Sequence, residues 1–301
     1  MEAFRELLSG DQFETESSIA ISMSYKEILT QAVPEASRDE IDAHCELMPA
    51  RYFQQYSISD ILLHLDMIHR LLARITRSES DEALKPVIEW REDPDADLDE
   101  AHLVTWDRAG LFSKMAGSLT VAGFDISRGR AQIRSDHIAV VTFYVRGPDS
   151  NSDEMQSRFN RIVEDSLTTS ERDILTPLVA EARMRRERAE PLGFTAGFKP
   201  TIHVYKELSL PRAIVEVEVR DFTGLLYHLL GVIFRHGYNI TLARIATERG
   251  VAKDSFHIEA TGHKSTPQKL RRLRDGLEKA AAGWENSEIR RSDRAKTNRP
   301  E

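Results

Sequence analysis

One short motif occurs twice in this chain and carries residues suited to binding a small charged ligand. The motif is Asp-x-x-Gly-Leu, at Asp107, Gly110 and Leu111 and again at Asp221, Gly224 and Leu225. An aspartate before a helix can accept hydrogen bonds from its first N–H groups, and glycine lets a ligand approach the backbone closely. A helix N-terminus also attracts carboxylates, so an amino acid is a fitting ligand. The alternative is that the aspartates only cap helices and the glycines only form turns.

The sequence around each motif repeats in the same order. Gly123 lies 16 positions after Asp107, and Gly237 lies 16 positions after Asp221. Each of these glycines is placed where the end of a helix needs positive φ, and an alternating apolar strand follows. Further candidate ligand contacts beside these landmarks are Phe222, Asp125 in the first copy, and Asn239 and Ile240 in the second. The matching order indicates a duplicated module.

Two arginines occupy equivalent positions in the strand after each helix. Arg130 aligns with Arg244, one position off the inward-facing alternation of its strand. Either arginine could pair with a ligand carboxylate or with an acid of a neighbouring module. The alternative is a solvated face residue. Arg128 and Arg134 extend the same stripe in the first copy, which favours a partner surface over a pocket.

The sequence offers no convincing catalytic or metal centre. His64 and His69 are five positions apart on a predicted helix, which misaligns them for joint metal ligation. Cys45 is the single cysteine, so neither an internal disulfide nor a thiolate cluster is expected. Gly117-Ser118 lies inside a helix and is not a nucleophile elbow, and there is no phosphate-cradling glycine loop. We expect no enzyme activity, metal or cofactor.

Composition indicates an ordinary soluble protein. The 301 residues carry a net charge of −8, which offers no general attraction for nucleic acid or anionic lipid. The first residues are charged and lack the apolar core of a signal peptide, and no apolar run reaches membrane-spanning length. We therefore expect a cytoplasmic protein that binds neither nucleic acid nor membrane.

The pattern of elements predicts an α+β chain. Each repeat is expected to form a ferredoxin-like βαββαβ module, in which two helices cover one face of an antiparallel sheet. Thr201–Tyr205 is expected to supply the fourth strand of the first module. The predicted divisions are a helical segment (1–80), an acidic linker with a possible edge strand at Val87–Trp90 (81–100), a first module with a charged helical insertion (101–207), a second module (208–286) and a disordered tail (287–301).

Apolar spacing predicts helices before the modules. Ile61, Leu65, Ile68 and Leu72 recur at helical intervals, and Ser57 or Ser59 could cap that helix. Two shorter helices are expected upstream of it. Whether these helices are the remnant of a larger domain is left open.

Specific strings in both modules resemble a known family. Asp-x-x-Gly-Leu, Gly237-Tyr-Asn-Ile240 and Asp254-Ser-Phe256 resemble the tandem ACT domains that close the bacterial PII uridylyltransferase/uridylyl-removing enzyme. Met48-Pro-Ala-Arg51-Tyr52-Phe53 resembles the segment leading into those domains. The similarity covers about residues 45–285. It implies two ACT domains in tandem without the nucleotidyltransferase and HD domains, whose signatures are not found.

The first module departs further from the family pattern than the second. Family modules usually carry proline before the loop glycine, where this chain has Ala109 and Thr223. Asn239 retains the asparagine after the helix, whereas the first copy has Asp125, whose charge disfavours a ligand carboxylate. The second module is therefore the better candidate for ligand binding.

The resemblance implies a non-catalytic regulator that senses an amino acid, with glutamine as the leading candidate, in nitrogen or amino-acid metabolism. A homo-oligomer formed through the ACT domains and a protein partner of the N-terminal helices are also expected. We expect Gly224→Asp to abolish the ligand response and leave the fold intact. The alternatives are a ligand-free ACT scaffold for oligomerisation, and a uridylyltransferase-like protein, so named by homology, without its catalytic domains.

Overall fold

The computed structural model describes residues 25–32, 38–77, 84–93, 98–147, 152–168, 173–189, 198–206, 212–261 and 265–281. The predicted tail (287–301) and parts of the acidic linker lie outside these ranges. Among the described residues, no helix combines the length and apolar character needed to cross a membrane.

In the described part of the chain, four helices precede the first sheet, and the short third helix is one that the sequence did not predict. They are α1 (residues 25–32), α2 (Arg38–Leu47), α3 (Ala50–Gln55) and α4 (Ile58–Arg77). Ser57 begins α4 with a reciprocal pair of bonds. Its hydroxyl accepts the Asp60 N–H at 3.1 Å, and the Asp60 carboxylate accepts the Ser57 N–H at 3.2 Å. Both partners satisfy donors that a helix start leaves free, so Ser57 is the predicted cap.

The first module has four strands and two helices. In chain order they are β1 (Val87–Asp93), β2 (Leu98–Trp106), α5 (Leu111–Ala122), β3 (Asp125–Ile133), β4 (Ile138–Arg146) and α6 (Ser152–Thr168). The strand order in the sheet is β1-β2-β4-β3. The edge strand expected at Val87–Trp90 is confirmed as part of β1.

The second module repeats this arrangement after an inserted helix. In chain order the elements are α7 (Leu175–Ala189), β5 (Thr201–Lys206), β6 (Arg212–Arg220), α8 (Leu225–Arg235), β7 (Tyr238–Arg244), β8 (Thr247–Glu248), β9 (Val251–Ala260) and α9 (residues 267–281). The sheet order is β5-β6-β9-β7, all pairings are antiparallel, and β8 pairs with β9. The α+β class with two such sheets is confirmed.

The fourth strand of each sheet comes from upstream rather than downstream. Thr201–Lys206 pairs with β6, with Ile202 opposite Val217, so its expected place in the first module is wrong. A strand joined to the next by a short connection pairs with it more readily than with a distant strand. Each module is therefore built in the order ββαββα, a circular rearrangement of the expected βαββαβ order.

The described residues form two compact units. One comprises the N-terminal helices up to Glu89 with His102–Asp107 and Gln132–Val140, and the other comprises Trp90–Ala101, Arg108–Ala131 and the chain from Val141. In the first unit, a buried apolar cluster joins the helices to strand residues, with members that include Tyr52, Phe53, Ile61, Leu71, Val104, Ile138 and Val140.

Within the second unit, α5 and α8 contact each other through small residues at matching positions of the repeat. A Cβ added to Gly117 would lie 2.7 Å from the Tyr227 ring, and one added to Gly231 would lie 3.7 Å from Ser113 Oγ. The Ser113 hydroxyl also donates to the Tyr227 carbonyl at 3.2 Å. The contact is close to two-fold symmetric, so the helices of the two repeats pair within one chain.

Candidate functional site

The two Asp-x-x-Gly-Leu motifs form the same backbone turn. Gly110 precedes α5 with φ +71° and Gly224 precedes α8 with φ +88°, both in the left-handed region that favours glycine. Both glycines are the N-cap residues of their helices, and glycine has no side chain that could form a cap bond. Each aspartate of the motif therefore lies three residues before the N-cap position.

Asp221 instead fastens the loop to the β8–β9 hairpin. Its carboxylate accepts the Thr247 hydroxyl at 3.0 Å, and its N–H donates to the Gly250 carbonyl at 2.9 Å. Burial raises the pKa of Asp221 above the usual carboxyl value, and the negative charge of Asp125 raises it further. Asp125 of the first module and Asp221 of the second are thus close enough for their charges to interact.

A second carboxyl group lies beside Asp221. Asp254, on β9, is 3% exposed; its Oδ1 accepts the Ala246 N–H at 3.4 Å and its Oδ2 has no hydrogen-bond partner. Burial, with a further contribution from the charge of Asp221, raises the pKa of Asp254 to about 7. Buried carboxylates normally have several donors, so this one is poised to accept a cationic group or a proton.

Helix α7 lies against the second loop through one face. A Cβ at Gly224 would lie 2.7 Å from Val179 Cγ1, and the Arg183 guanidinium is centred 4.9 Å from the Phe222 ring centroid. Arg186 donates two bonds to the Asp125 carboxylate, at 2.7 and 2.6 Å. Residues 179, 183 and 186 follow helical spacing, so one face of α7 reaches predicted residues of both modules.

The first loop has different neighbours. A Cβ at Gly110 would be 3.5 Å from the ring of Phe234, an ordinary contact distance. Leu111 is 6% exposed and belongs to the apolar core. The Asp107 N–H donates to the His137 carbonyl at 2.7 Å.

The predicted arginines have other environments. Arg130 lies 5.4 Å from the centroid of the Tyr144 ring, with Arg128 at 4.5 Å from the same ring. Arg244 is exposed at the end of β7, opposite Ser255. Arg134 is 4% exposed and forms a bidentate pair with Asp136, so its expected place in an outward stripe is wrong.

The remaining predicted residues have mixed roles. Asn239 and Ile240 are half-buried at the start of β7, opposite Glu259 and Ile258. Leu225 is 3% exposed and donates its N–H to the Phe222 carbonyl at 2.9 Å, so it anchors the turn. The structure therefore brings Asp221, Asp125 and the turn at Gly224 into one region.

Sequence reasoning selected none of Thr247, Asp254, Val179, Arg183 and Arg186 for this region. For Asp254 there was a visible signal, because it begins the Asp254-Ser-Phe256 string that resembles the family. The three α7 residues lie in a charged insertion whose pattern indicates only a solvated helix, so their contacts needed the three-dimensional structure.

The N-terminal unit has a separate group of buried polar side chains. His64 Nδ1 lies 2.9 Å from the Tyr52 hydroxyl and its Nε2 lies 3.0 Å from His102 Nδ1. His44 is fully buried, neither ring nitrogen has a partner, and burial lowers its pKa to about 3. His69 lies apart, exposed and 2.6 Å from Glu40. The helical pattern does not bring His64 and His69 together.

Comparison with known proteins places the second module in a family. The ACT domain family matches residues 213–275, which span β6 to α9. Bifunctional uridylyltransferase/uridylyl-removing enzymes are similar to most of the chain. The enzyme of Rhodospirillum rubrum is 28% identical over 272 residues, covering 85% of this chain and 28% of the relative.

Two further relatives carry the same description. The enzyme of Gluconobacter oxydans is 28% identical over 283 residues, with 90% of this chain and 28% of the relative covered. That of Ruegeria pomeroyi is 28% identical over 209 residues, covering 65% and 22%. The chain thus spans under a third of the length of these relatives, and the resemblance noted in its sequence is confirmed. Together with the ACT domain, it supports a regulatory ACT protein.

Proposed function

We propose that this chain is a non-catalytic sensor of an amino acid, with L-glutamine as the leading candidate, and that the ligand binds at the second loop. The ACT domain and the similarity to the uridylyltransferase relatives support a regulatory role. A protein partner of the N-terminal helices is the proposed recipient of the signal, in nitrogen or amino-acid metabolism.

The observation that carries this proposal is the grouping of opposite charges around the Asp221 loop. Asp221 and the buried Asp254 offer carboxylates to an α-ammonium group, and Asp254 gains most from a cation because its Oδ2 has no hydrogen-bond donor. Arg186 offers the planar fork that recognises carboxylates bidentately. A zwitterion matches both halves of this arrangement.

The same grouping explains why one module is preferred. In the second module the β8–β9 hairpin holds Asp221 through two hydrogen bonds, and α7 adds Arg183 and Arg186 to the region. At the first loop the side chain nearest to a Cβ on Gly110 is the aromatic ring of Phe234, which offers no charge to a zwitterion. We therefore assign the ligand to the second module alone.

A calorimetric titration of the purified chain with L-glutamine and a panel of other amino acids tests this function. We expect saturable heat for one of them and a matching rise in thermal stability, because a ligand that binds only the folded state stabilises it. Heat release for none of the panel would contradict the proposal.

A ligand-free scaffold is the second candidate, and one observation favours it. Val179 and Phe234 already contact the loop glycines, and α5 pairs with α8 inside one chain. Under this reading the protein forms a stable homo-oligomer and binds no amino acid. Sedimentation velocity in the presence and absence of the panel separates the candidates, because only a sensor changes its stability or assembly with ligand.

A further inference from the structure

We infer that Asp125 takes the place of the ligand carboxylate in the ligand-free protein. Its carboxylate binds the Arg186 guanidinium there, and the carboxylate of a bound amino acid replaces it. This inference rests on the proposed function, since it concerns the carboxylate half of the same site. It makes Arg186 a specificity-determining residue and Asp125 an autoinhibitory one.

The geometry of the pair is that of ligand recognition. Arg186 Nη1 and Nη2 each donate to one oxygen of Asp125, at 2.7 and 2.6 Å. This parallel arrangement is the one in which a guanidinium binds a free carboxylate in proteins. A ligand carboxylate can therefore replace Asp125 atom for atom, with no change in the number of hydrogen bonds.

The pair lies where the ligand is proposed to bind. The charges of both Asp125 and Arg186 act on Asp221, the first in the direction that raises its pKa and the second in the direction that lowers it. An amino acid whose ammonium group meets Asp221 would therefore present its carboxylate close to Arg186.

The solvent exposure of the α7 side chains shows which of their contacts a ligand can replace. Val179 is completely buried against the loop, and removing it would open the core. The side chains of Arg186 and Asp125 are 40% and 59% exposed, so Asp125 can turn into water at little cost. Ligand binding thus needs a local swap of partners and leaves α7 in place.

Two substitutions and a neighbouring control test the inference by calorimetry. Asp125→Asn removes the competing charge and is expected to tighten L-glutamine binding about two- to fivefold, the range that a solvent-exposed ion pair can contribute. Arg186→Gln is expected to weaken it at least about tenfold, as loss of a bidentate partner does. Arg185→Gln is the control, because Arg185 pairs with the exposed Glu181 and should leave affinity unchanged.

The α-amide of L-glutamine supplies a second readout. It keeps the ammonium group and lacks the carboxylate, so its affinity should not rise in Asp125→Asn and should not fall in Arg186→Gln, in contrast to that of L-glutamine. Thermal unfolding of each variant checks that the fold is retained.

The outcomes separate the inference from the function on which it rests. Binding by the unaltered chain with equal or weaker affinity in Asp125→Asn would overturn the inference and leave the sensor intact. If neither the unaltered chain nor any variant releases heat with any amino acid, both the inference and the proposed function are overturned. Binding by the unaltered chain that becomes tighter in Asp125→Asn and weaker in Arg186→Gln would support the inference.

Discussion

The two modules of this chain share their backbone geometry and differ in where they keep negative charge. Gly110 and Gly224 adopt the same left-handed turn before equivalent helices. In the first module's hairpin, Asp136 is partly exposed and paired with Arg134. In the second, Asp254 is buried with one oxygen unpartnered. Duplication has preserved the turn, while the uncompensated carboxylate that favours a cationic ligand is found in the second copy.

The central strands differ in a related way. β4 is buried along its length except at Arg146, whereas β9 alternates between more and less buried residues. An antiparallel strand with one solvated face shows such alternation, and a strand covered on both faces does not. In the N-terminal unit, Ile138 and Val140 of β4 join the helical core. The first module's central strand is therefore covered on both faces, whereas that of the second module has a more solvated face, which fits the ligand site proposed there.

The largest expected effect is the pH dependence of stability that the buried Asp254 gives to the second module. Asp254 has a folded-state pKa of about 7 against 3.8 in the unfolded chain, so its contribution to stability is fully present below about pH 4 and is lost as pH rises through 7. The difference between the two pKa values corresponds to about 4 kcal/mol of unfolding free energy. Asp254→Asn should remove that part of the pH dependence, measured by denaturant unfolding at acidic and mildly alkaline pH. Identical pH profiles for the two proteins would show that Asp254 ionises freely.

The next effect compares the two turns directly. Gly224→Ala should cost about 2–4 kcal/mol of unfolding free energy, because a side chain strains the positive φ and its Cβ meets Val179 at 2.7 Å. Gly110→Ala should cost about 1–2 kcal/mol of unfolding free energy. The added side chain strains the positive φ there, but it lies at an ordinary contact distance from Phe234. Denaturant unfolding of both variants measures the difference.

Gly250→Ala is a third member of that series, with φ +77° and no atom within 4 Å of the added Cβ. It should match Gly110→Ala. Equal losses of unfolding free energy for Gly110→Ala, Gly224→Ala and Gly250→Ala would show that α7 does not pack tightly against the second loop. The same geometry revises an expectation from sequence: Gly224→Asp would perturb the fold as well as the ligand site, so it is a poor test of binding.

A smaller effect concerns the helix pair. Gly117→Ala should destabilise by about 1–2 kcal/mol, because the gain in helix propensity is outweighed by contact with the rigid Tyr227 ring at 2.7 Å. Gly231→Ala should be neutral or stabilise by up to ~1 kcal/mol, since its nearest neighbour is the flexible end of Arg235 at 3.1 Å. Thermal unfolding of the two variants provides the comparison, and equal losses would show that the pairing is tight at both glycines.

Much of the fold followed from residue patterns. Matched glycines at 123 and 237 predicted helix ends with positive φ, and both have it. The cap at Ser57 and the strand at Val87 were also predicted correctly. The partner of Thr201–Lys206 was not, because alternation identifies a strand but not the sheet to which it belongs.

The candidate site was only partly predictable. The motif identified Asp221 and Gly224 because glycine and aspartate have restricted roles at such turns. The contribution of Arg186 depends on how an inserted helix lies against Asp125, and nothing in a charged helical stretch specifies its contacts. Burial of Asp254 depends likewise on the hairpin that folds over it.

The most direct test of a ligand site confined to the second module is a paired titration with L-glutamine. Asp221→Asn and Asp107→Asn change equivalent positions of the two motifs and are compared with the unaltered chain by calorimetry. We expect loss of most affinity in Asp221→Asn and no change in Asp107→Asn. Equal losses in both variants, or loss only in Asp107→Asn, would contradict the account.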